Sequence, residues 1–242
     1  MTASARTASP DRRELWVDRL GLMPYAAALD LQREVARARI SGTVPEDVLL
    51  LVEHPPVVTL GRSAKNEHLL ASPELLAARG VELFEVERGG DVTFHGPGQL
   101  VGYPIVDLKR HRRDLHWYLR QVEEALILSL GELGIDAERN PGLTGVWTRG
   151  RKIASIGVHA RDWVTWHGFA LNVSTDLRYF ELMVPCGIQA VQMTSVATEL
   201  GVHTSMELVA NAVAEAMGRV FDLEPLEHAV IVDGHVAAVG AR

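Results

Sequence analysis

Apolar residues along the chain keep two different periods, and the points where one gives way to the other outline the elements. Pro24 opens a helix over residues 25–39, rich in Ala, Leu and Gln. Residues 48–52 form an unbroken apolar run suited to a buried strand, and after Pro55-Pro56 a second short strand covers 57–60. Ser72 and Pro73 read as N-cap and first residue of a short helix that stops at Gly80. Residues 81–86 alternate apolar and acidic side chains, the mark of a half-buried strand, and 100–106 reads as another strand. Asp114 caps a long helix to about residue 133, with Leu115, Leu119, Val122, Leu126 and Leu133 at helical spacing and Gly134 ending it. From 145 to 173 the pattern turns to β, with arms at 152–159 and 164–173 around Arg161-Asp162-Trp163. Ser205 caps a last helix to Phe221. Helices and hairpins mix without strict alternation, which predicts an α/β (α+β) fold, a mixed β-sheet flanked by helices.

Length and composition narrow the class. With 242 residues, 47% apolar and 23% charged, the chain is an ordinary globular one and long enough to bury a sizeable core. The reading assigns 1–18 to a flexible N-terminal segment, 19–225 to a single domain and 226–242 to a C-terminal tail. A net charge of −7 argues against non-specific nucleic-acid binding. No apolar run approaches the roughly 18 residues that a membrane-spanning helix needs, and no secretory leader is recognisable at the start. One cysteine closes no intramolecular disulfide and builds no Cys-rich zinc site, which fits the cytoplasm. The ten histidines show no zinc spacing, so no metal is expected.

Three segments carry candidate chemistry. Residues 88–98 hold four glycines in eleven positions, with Arg88 and His95 among them. Such a segment has no regular secondary-structure reading, and it is either a turn between strands or a loop that meets a ligand closely. It is neither a P-loop nor a dinucleotide fingerprint. The sole cysteine, Cys186, lies in a Pro-Cys-Gly turn, where it is either a small buried hydrophobe or an exposed nucleophile in need of a nearby cation or base. Lys152 ends the basic run 149–152 and starts an apolar strand; it belongs to a solvated turn or faces inward. His167 either faces a site or fills a strand position.

Taken together and in order, these segments resemble the lipoyl(octanoyl) transferases. The resemblance is carried by HPPVVTLG at 54–61, RGGDVTFHGPGQLVGYP at 88–104, GVWTRGRKIASIG at 145–157, and HGFALNV at 167–173 followed by PCG at 185–187. It spans about residues 20–220. It implies a fold similar to biotin and lipoate protein ligases, with the acyl site over the sheet. It further implies Cys186 as acyl-thioester nucleophile and Lys152 as the group that favours its thiolate. Arg88, Gly89, Gly90, Asp91, Val92, Thr93, Phe94, His95, Ser155, Ile156, Gly157, Gly168, Phe169 and Ala170 are implied to line the acyl pocket. The expected donor is octanoyl-acyl carrier protein. The expected acceptors are lipoyl domains of 2-oxoacid dehydrogenases and glycine cleavage H protein. No cofactor is implied, because the donor thioester is already activated. A departure is Thr194-Ser195-Val196-Ala197, where relatives often carry an acidic residue near the end of the stretch. An ATP-dependent lipoate–protein ligase of the same fold is the alternative, disfavoured by Cys186 and by the lack of a phosphate loop. A non-catalytic binding module is disfavoured by the joint presence of Cys186 and Lys152.

Overall fold

The computed structural model describes residues 13–188, 190–232 and 235–236. Twelve strands and five α-helices follow in chain order within these residues: β1 (Glu14–Leu22), α1 (Tyr25–Ser41), β2 (Asp47–Glu53), β3 (Val57–Leu60), α2 (Pro73–Ala78), β4 (Glu82–Glu85), β5 (Val92–His95), β6 (Gln99–Ile105), α3 (Leu115–Glu132), β7 (Val146–Thr148), β8 (Arg151–Arg161), β9 (Val164–Asn172), α4 (Val196–Leu200), α5 (Met206–Phe221), β10 (Glu224–Glu227), β11 (Ile231–Val232) and β12 (His235–Val236). Seven of the strands form one mixed sheet in the order β10-β1-β2-β6-β9-β8-β7. A small second sheet has the order β4-β3-β5. Pairing is parallel for β1–β10, β1–β2 and β3–β4, and antiparallel elsewhere.

The unbroken apolar run in β2 is explained by helices on both faces of the large sheet. Leu49 and Leu51 pack with α3 and α5 through Tyr118, Val122, Leu126, Val213 and Met217. Val48, Leu50 and Val52 point the other way, toward Ala28, Val35 and Ala36 of α1. Alternation along a strand covered on both sides leaves no polar position to mark the period.

Caps fix the helix ends largely as the sequence predicts. Ser72 Oγ accepts from the Leu75 amide, and the Asp114 carboxylate accepts from the amides of His116 and Trp117. Gly42 closes α1 with φ +83°, a left-handed conformation that favours glycine. Ser205 occupies the N-cap of α5, yet its hydroxyl makes no capping bond. The turn between β8 and β9 holds Asp162 and Trp163 at φ 52° and 65°. Two consecutive positive φ values are what a two-residue hairpin turn requires.

Three sequence expectations need correction. Residues 14–18 are not part of a flexible segment: they begin β1, which is paired on both edges. The boundary at 225 cuts through β10, and past it the Val230 amide donates to Asp18 at 2.8 Å, tying this segment to the domain. The glycine-rich segment is also not wholly irregular, because residues 92–95 form β5 against β3. Residues 1–12, 233–234 and 237–242 of the expected termini lie outside the described residues.

The seam between the two sheets is aromatic. Tyr25, the first residue of α1, stacks on His95 at 5.9 Å, and His54 meets His95 edge-on at 5.9 Å. His54 Nδ1–H donates to the Met23 carbonyl, and its Nε2 accepts from the Tyr103 hydroxyl at 2.7 Å. Burial pushes the His54 imidazole down to about 4 and the His95 imidazole down to about 3. Both rings are therefore neutral in the folded protein at neutral pH, whereas in the unfolded chain they gain protons near pH 6.5. The unfolded state then binds more protons, so stability is full above about pH 6.5 and falls as pH drops toward the folded values, by up to about 1.4 kcal/mol per pH unit for each ring. Urea unfolding between pH 7 and pH 4.5 is expected to show this decline. His95→Asn is expected to flatten its slope by about one proton; an unchanged slope would contradict the burial of a neutral ring.

Candidate active site

Lys152 and Cys186 meet at the centre of the site. Lys152 is the second residue of β8, and its peptide is held on the far edge by two bonds. Its amide donates to the Gln192 carbonyl at 2.8 Å, and its carbonyl accepts from the Thr194 amide at 2.9 Å. Only 1% of the residue is exposed. Its Nζ lies 3.2 Å from Cys186 Sγ and 5.0 Å from the Trp147 ring centroid. Ser155 Oγ, three residues further along β8 past a register shift, is 3.6 Å from the same sulfur. The basic run 149–152 thus splits. Arg149 is three-quarters exposed and Arg151 pairs with Glu199 at 2.9 Å, while Lys152 turns inward.

Cys186 is displayed on a single tight turn, residues 185–187, at φ 55° and ψ 20°. That left-handed conformation costs a side-chain-bearing residue about 1–2 kcal/mol, so the surroundings must impose it. Gly187 follows at φ +66°, where a Cβ would come 2.6 Å from Asp91 Oδ2. Asp91 in turn accepts from His68 Nδ1–H at 2.6 Å and from the Val92 amide at 2.7 Å.

A cavity of about 190 Å³ runs from this pair between the small sheet and strands β6, β8 and β9. Its apolar wall comes from Val101, Ile156, Phe169, Ala170, Leu143 and Ile188. Its polar wall includes Arg88, Thr93, His95, Tyr25, Tyr103 and His167. Arg88 is buried and is tied to β3 by bonds from Nη2 to the Thr59 carbonyl at 2.7 Å and to Thr59 Oγ1 at 2.8 Å. Burial lowers its pKa, and the nearby Cys186 acts in the opposite sense, which puts the guanidinium within electrostatic reach of the sulfur. The loop carrying Arg88 approaches β8 closely because Gly157 has no side chain: a Cβ there would lie 2.8 Å from the Gly89 carbonyl.

Most of the expected pocket residues are brought together: Arg88, Gly90, Asp91, Thr93, His95, Ser155, Ile156, Gly157, Gly168, Phe169 and Ala170 share the cavity with Lys152 and Cys186. Val92, Phe94 and Gly89 depart from the expectation. Strand alternation sends Thr93 and His95 to the cavity and Val92 and Phe94 into a separate core with Phe180 and Leu182. Phe94 stacks on Tyr179 at 4.5 Å. Gly89 spends its amide on the Val158 carbonyl, clasping the loop to β8. The sequence pattern V-T-F-H carries this alternation, but the flanking glycines hide it.

Residues that sequence reasoning left out also line the cavity, notably Tyr25, Val101, Tyr103, Leu143 and Ile188. His68 is a further omission, seated behind Cys186. His167 faces the cavity and also fills a strand position, at φ 56° within β9. Its amide donates to Gln32 Oε1, and burial lowers the pKa of its ring. Thr194, in the stretch that departs from the resembling family, bonds Lys152 through its amide and Glu199 through its hydroxyl. Among the described residues, no group of three or more His, Cys, Asp or Glu is arranged to hold a metal ion.

Comparison with known proteins identifies the family. The family model of the lipoyl protein ligase A/B catalytic domain matches residues 24–218. An octanoyltransferase of Solibacter usitatus is 51% identical over 214 residues, covering 88% of this chain and 96% of that protein. One from Chloroflexus aggregans is 50% identical, covering 88% and 98%. Among solved structures, a bipartite lipoate protein ligase of Thermoplasma acidophilum superposes with a TM-score of 0.73 at 20% identity, over 90% of this chain and 88% of that one. A lipoate-protein ligase A bound with ATP gives 0.71 at 19%, over 91% and 90%. The two ligases share the fold, whereas the sequence relatives share half of the residues over nearly the whole length, so the chain belongs to the octanoyltransferases within the lipoyl protein ligase A/B catalytic-domain family.

Proposed function

We propose that this protein transfers an octanoyl group from octanoyl-acyl carrier protein to a specific lysine of lipoyl domains, through a thioester on Cys186 assisted by Lys152. The transfer is the first step of endogenous protein lipoylation, carried out in the cytoplasm. Its acceptors are the lipoyl domains of 2-oxoacid dehydrogenases and glycine cleavage H protein. The observation that carries the reading is the 3.2 Å contact of a buried lysine amine with the only thiol, at the mouth of a half-apolar cavity. The relatives named octanoyltransferase support the acyl group and the reaction class.

The chemistry follows from the contact. Proton transfer from thiol to amine leaves a thiolate beside an ammonium, and thiolate is the nucleophilic form. It attacks the carrier thioester carbonyl, and the carrier thiolate leaves with the proton from the Lys152 ammonium. Lys152 is then a neutral amine. The neutral amine of the incoming lysine attacks the Cys186 thioester, and Lys152 takes the proton released from that nitrogen as the amide forms. Cys186 leaves as thiolate, and the starting pair is restored. No nucleotide enters, because thioester is converted to the more stable amide. Arg88 contributes a fixed positive charge near the sulfur.

Two substitutions test the roles. Cys186→Ser is expected to abolish the octanoyl adduct, which in the wild type appears in intact mass as one acyl group labile to hydroxylamine. A Cys186→Ser protein with near wild-type turnover would remove the intermediate. Lys152→Arg keeps a cation but cannot accept a proton near neutrality, so transfer is expected to fall by about 10²–10⁴-fold while melting and circular dichroism hold. Full activity of Lys152→Arg would show that only charge is needed there. Omitting ATP is expected to change nothing. A strict ATP requirement with free octanoate as donor would instead assign the ligase activity of the structural neighbours.

A further inference from the structure

We infer that His68 and Asp91 are positioning residues that hold Cys186 in its reactive conformation. The inference rests on the reading of Cys186 as nucleophile.

The left-handed backbone of Cys186 is fixed from both sides, and His68 takes part in each. Ahead of the cysteine, the His68 carbonyl accepts from the Val184 amide at 2.7 Å. Leu69 bridges Met183, and the amides of Leu70 and Ala71 both donate to the Leu182 carbonyl. Behind the cysteine, the α-carbon of Gly187 rests directly on the His68–Asp91 pair. A Cβ at Gly187 would lie 2.6 Å from Asp91 Oδ2, 3.0 Å from His68 Cε1 and 3.1 Å from His68 Nδ1. The pair is itself rigid: the 2.6 Å His68–Asp91 bond is buried, and the other Asp91 oxygen is held by the Val92 amide at the start of β5. Asp91 thereby transmits the position of the small sheet to the turn. The turn's own bonds, Gly187 amide to Val184 carbonyl and Ile188 amide to Pro185 carbonyl, close the loop but do not orient it against β8. The seat formed by His68 and Asp91 does that at the turn, alongside the bonds that tie Gln192 and Thr194 to Lys152 farther along the chain, and Sγ lies 3.2 Å from Lys152.

The geometry of Asp91 makes shape the requirement and its charge secondary. An asparagine there keeps one oxygen for the Val92 amide, and its amide nitrogen donates to His68 Nδ1 in the other tautomer. A thiol displaced from Lys152 loses the partner that favours its thiolate and reacts more slowly.

The sole cysteine allows a direct test. Alkylation by iodoacetamide, followed by intact mass, reads the reactivity of Cys186 independently of acyl transfer. Single-turnover acylation by octanoyl-acyl carrier protein reads its chemistry. His68→Ala and Asp91→Ala are each expected to slow both by about tenfold or more, in the range that a misplacement of about 1 Å causes. The loss is expected in kcat, with KM for the donor changed less than about twofold. Asp91→Asn is expected to restore most of the loss. Gly187→Ala is expected to slow both rates in the wild type and to cost less in the Asp91→Ala background, where its methyl still meets the His68 ring but no carboxylate. Wild-type rates in both alanine variants, or an equal cost of Gly187→Ala in the two backgrounds, would overturn the inference. If Asp91→Ala does not fold, Gly187→Ala alone carries the test, and unchanged alkylation there is the overturning result. Retained transfer in Cys186→Ser would defeat the nucleophile reading instead, and the alkylation rates would still decide whether the pair sets the thiol.

Discussion

A lysine amine almost sealed from water, with a thiol as its close polar neighbour, is the interaction on which the rest of this site depends. Burying an ammonium without an anionic or strongly polar partner costs several kcal/mol. The fold meets that cost at one place, where Sγ of Cys186 lies 3.2 Å from Nζ and the Trp147 ring lies beneath it. Neither residue could be moved alone without penalty. Lys152 without the thiol is a buried amine short of a polar partner, and Cys186 without Lys152 keeps only Ser155 Oγ, at 3.6 Å, among the polar contacts described for its sulfur, in an unfavourable backbone conformation.

The two residues come from unlike structural settings. Lys152 is fixed by a strand whose peptide groups are bonded on both edges. Cys186 belongs to a three-residue turn, and no sheet runs through it. Its position is transmitted from the small sheet through Asp91 and from the segment around His68. The small sheet is therefore more than a cover over the large one: β5 sends Thr93 and His95 into the cavity, and Asp91 just before it meets the turn of Cys186. The cavity is the wedge left where two sheets meet at an aromatic seam, and its apolar wall draws on both faces of the large sheet, Val101 and Ala170 from the side packed on α1 and Phe169 and Ile156 from the side packed on α3 and α5.

How much of this was legible in the sequence depended on whether a position obeyed a local rule. Ser72 and Asp114 act within one turn of chain, and caps of that kind can be read from neighbours. The β8–β9 hairpin was legible for the same reason. The strand β1 was missed because its register is set by partners far along the chain, at 47–53 and 224–227. β5 was obscured by glycines on both flanks, which made V-T-F-H look like part of a loop. The Lys152–Cys186 pairing was carried by the family resemblance; spacing alone left Lys152 as readily on a surface turn. His68 had no sequence signal, since a lone histidine in a short helical turn looks like any other, and only the packing of Gly187 on its ring marks it.

A polar network under the cavity accounts for many of the polar side chains around it. His95 donates to Gln99, whose amide donates to Asn172; Asn172 donates to the Thr194 carbonyl, and the Thr194 amide bonds the Lys152 carbonyl. His167, which also lines the cavity, keeps its buried Nε2 3.9 Å from Glu87 and without a hydrogen bond, whereas along this network each member bonds the next. His54 is spent on Met23 and Tyr103 in the same way. The histidines stay neutral because burial disfavours their charged forms. The basic groups of the cavity wall that lie near the sulfur are Arg88 and Lys152. On the function proposed above, holding an alkyl chain and stabilising an anion then fall to different parts of the cavity, neutral rings such as His95 along the chain and basic groups at its head.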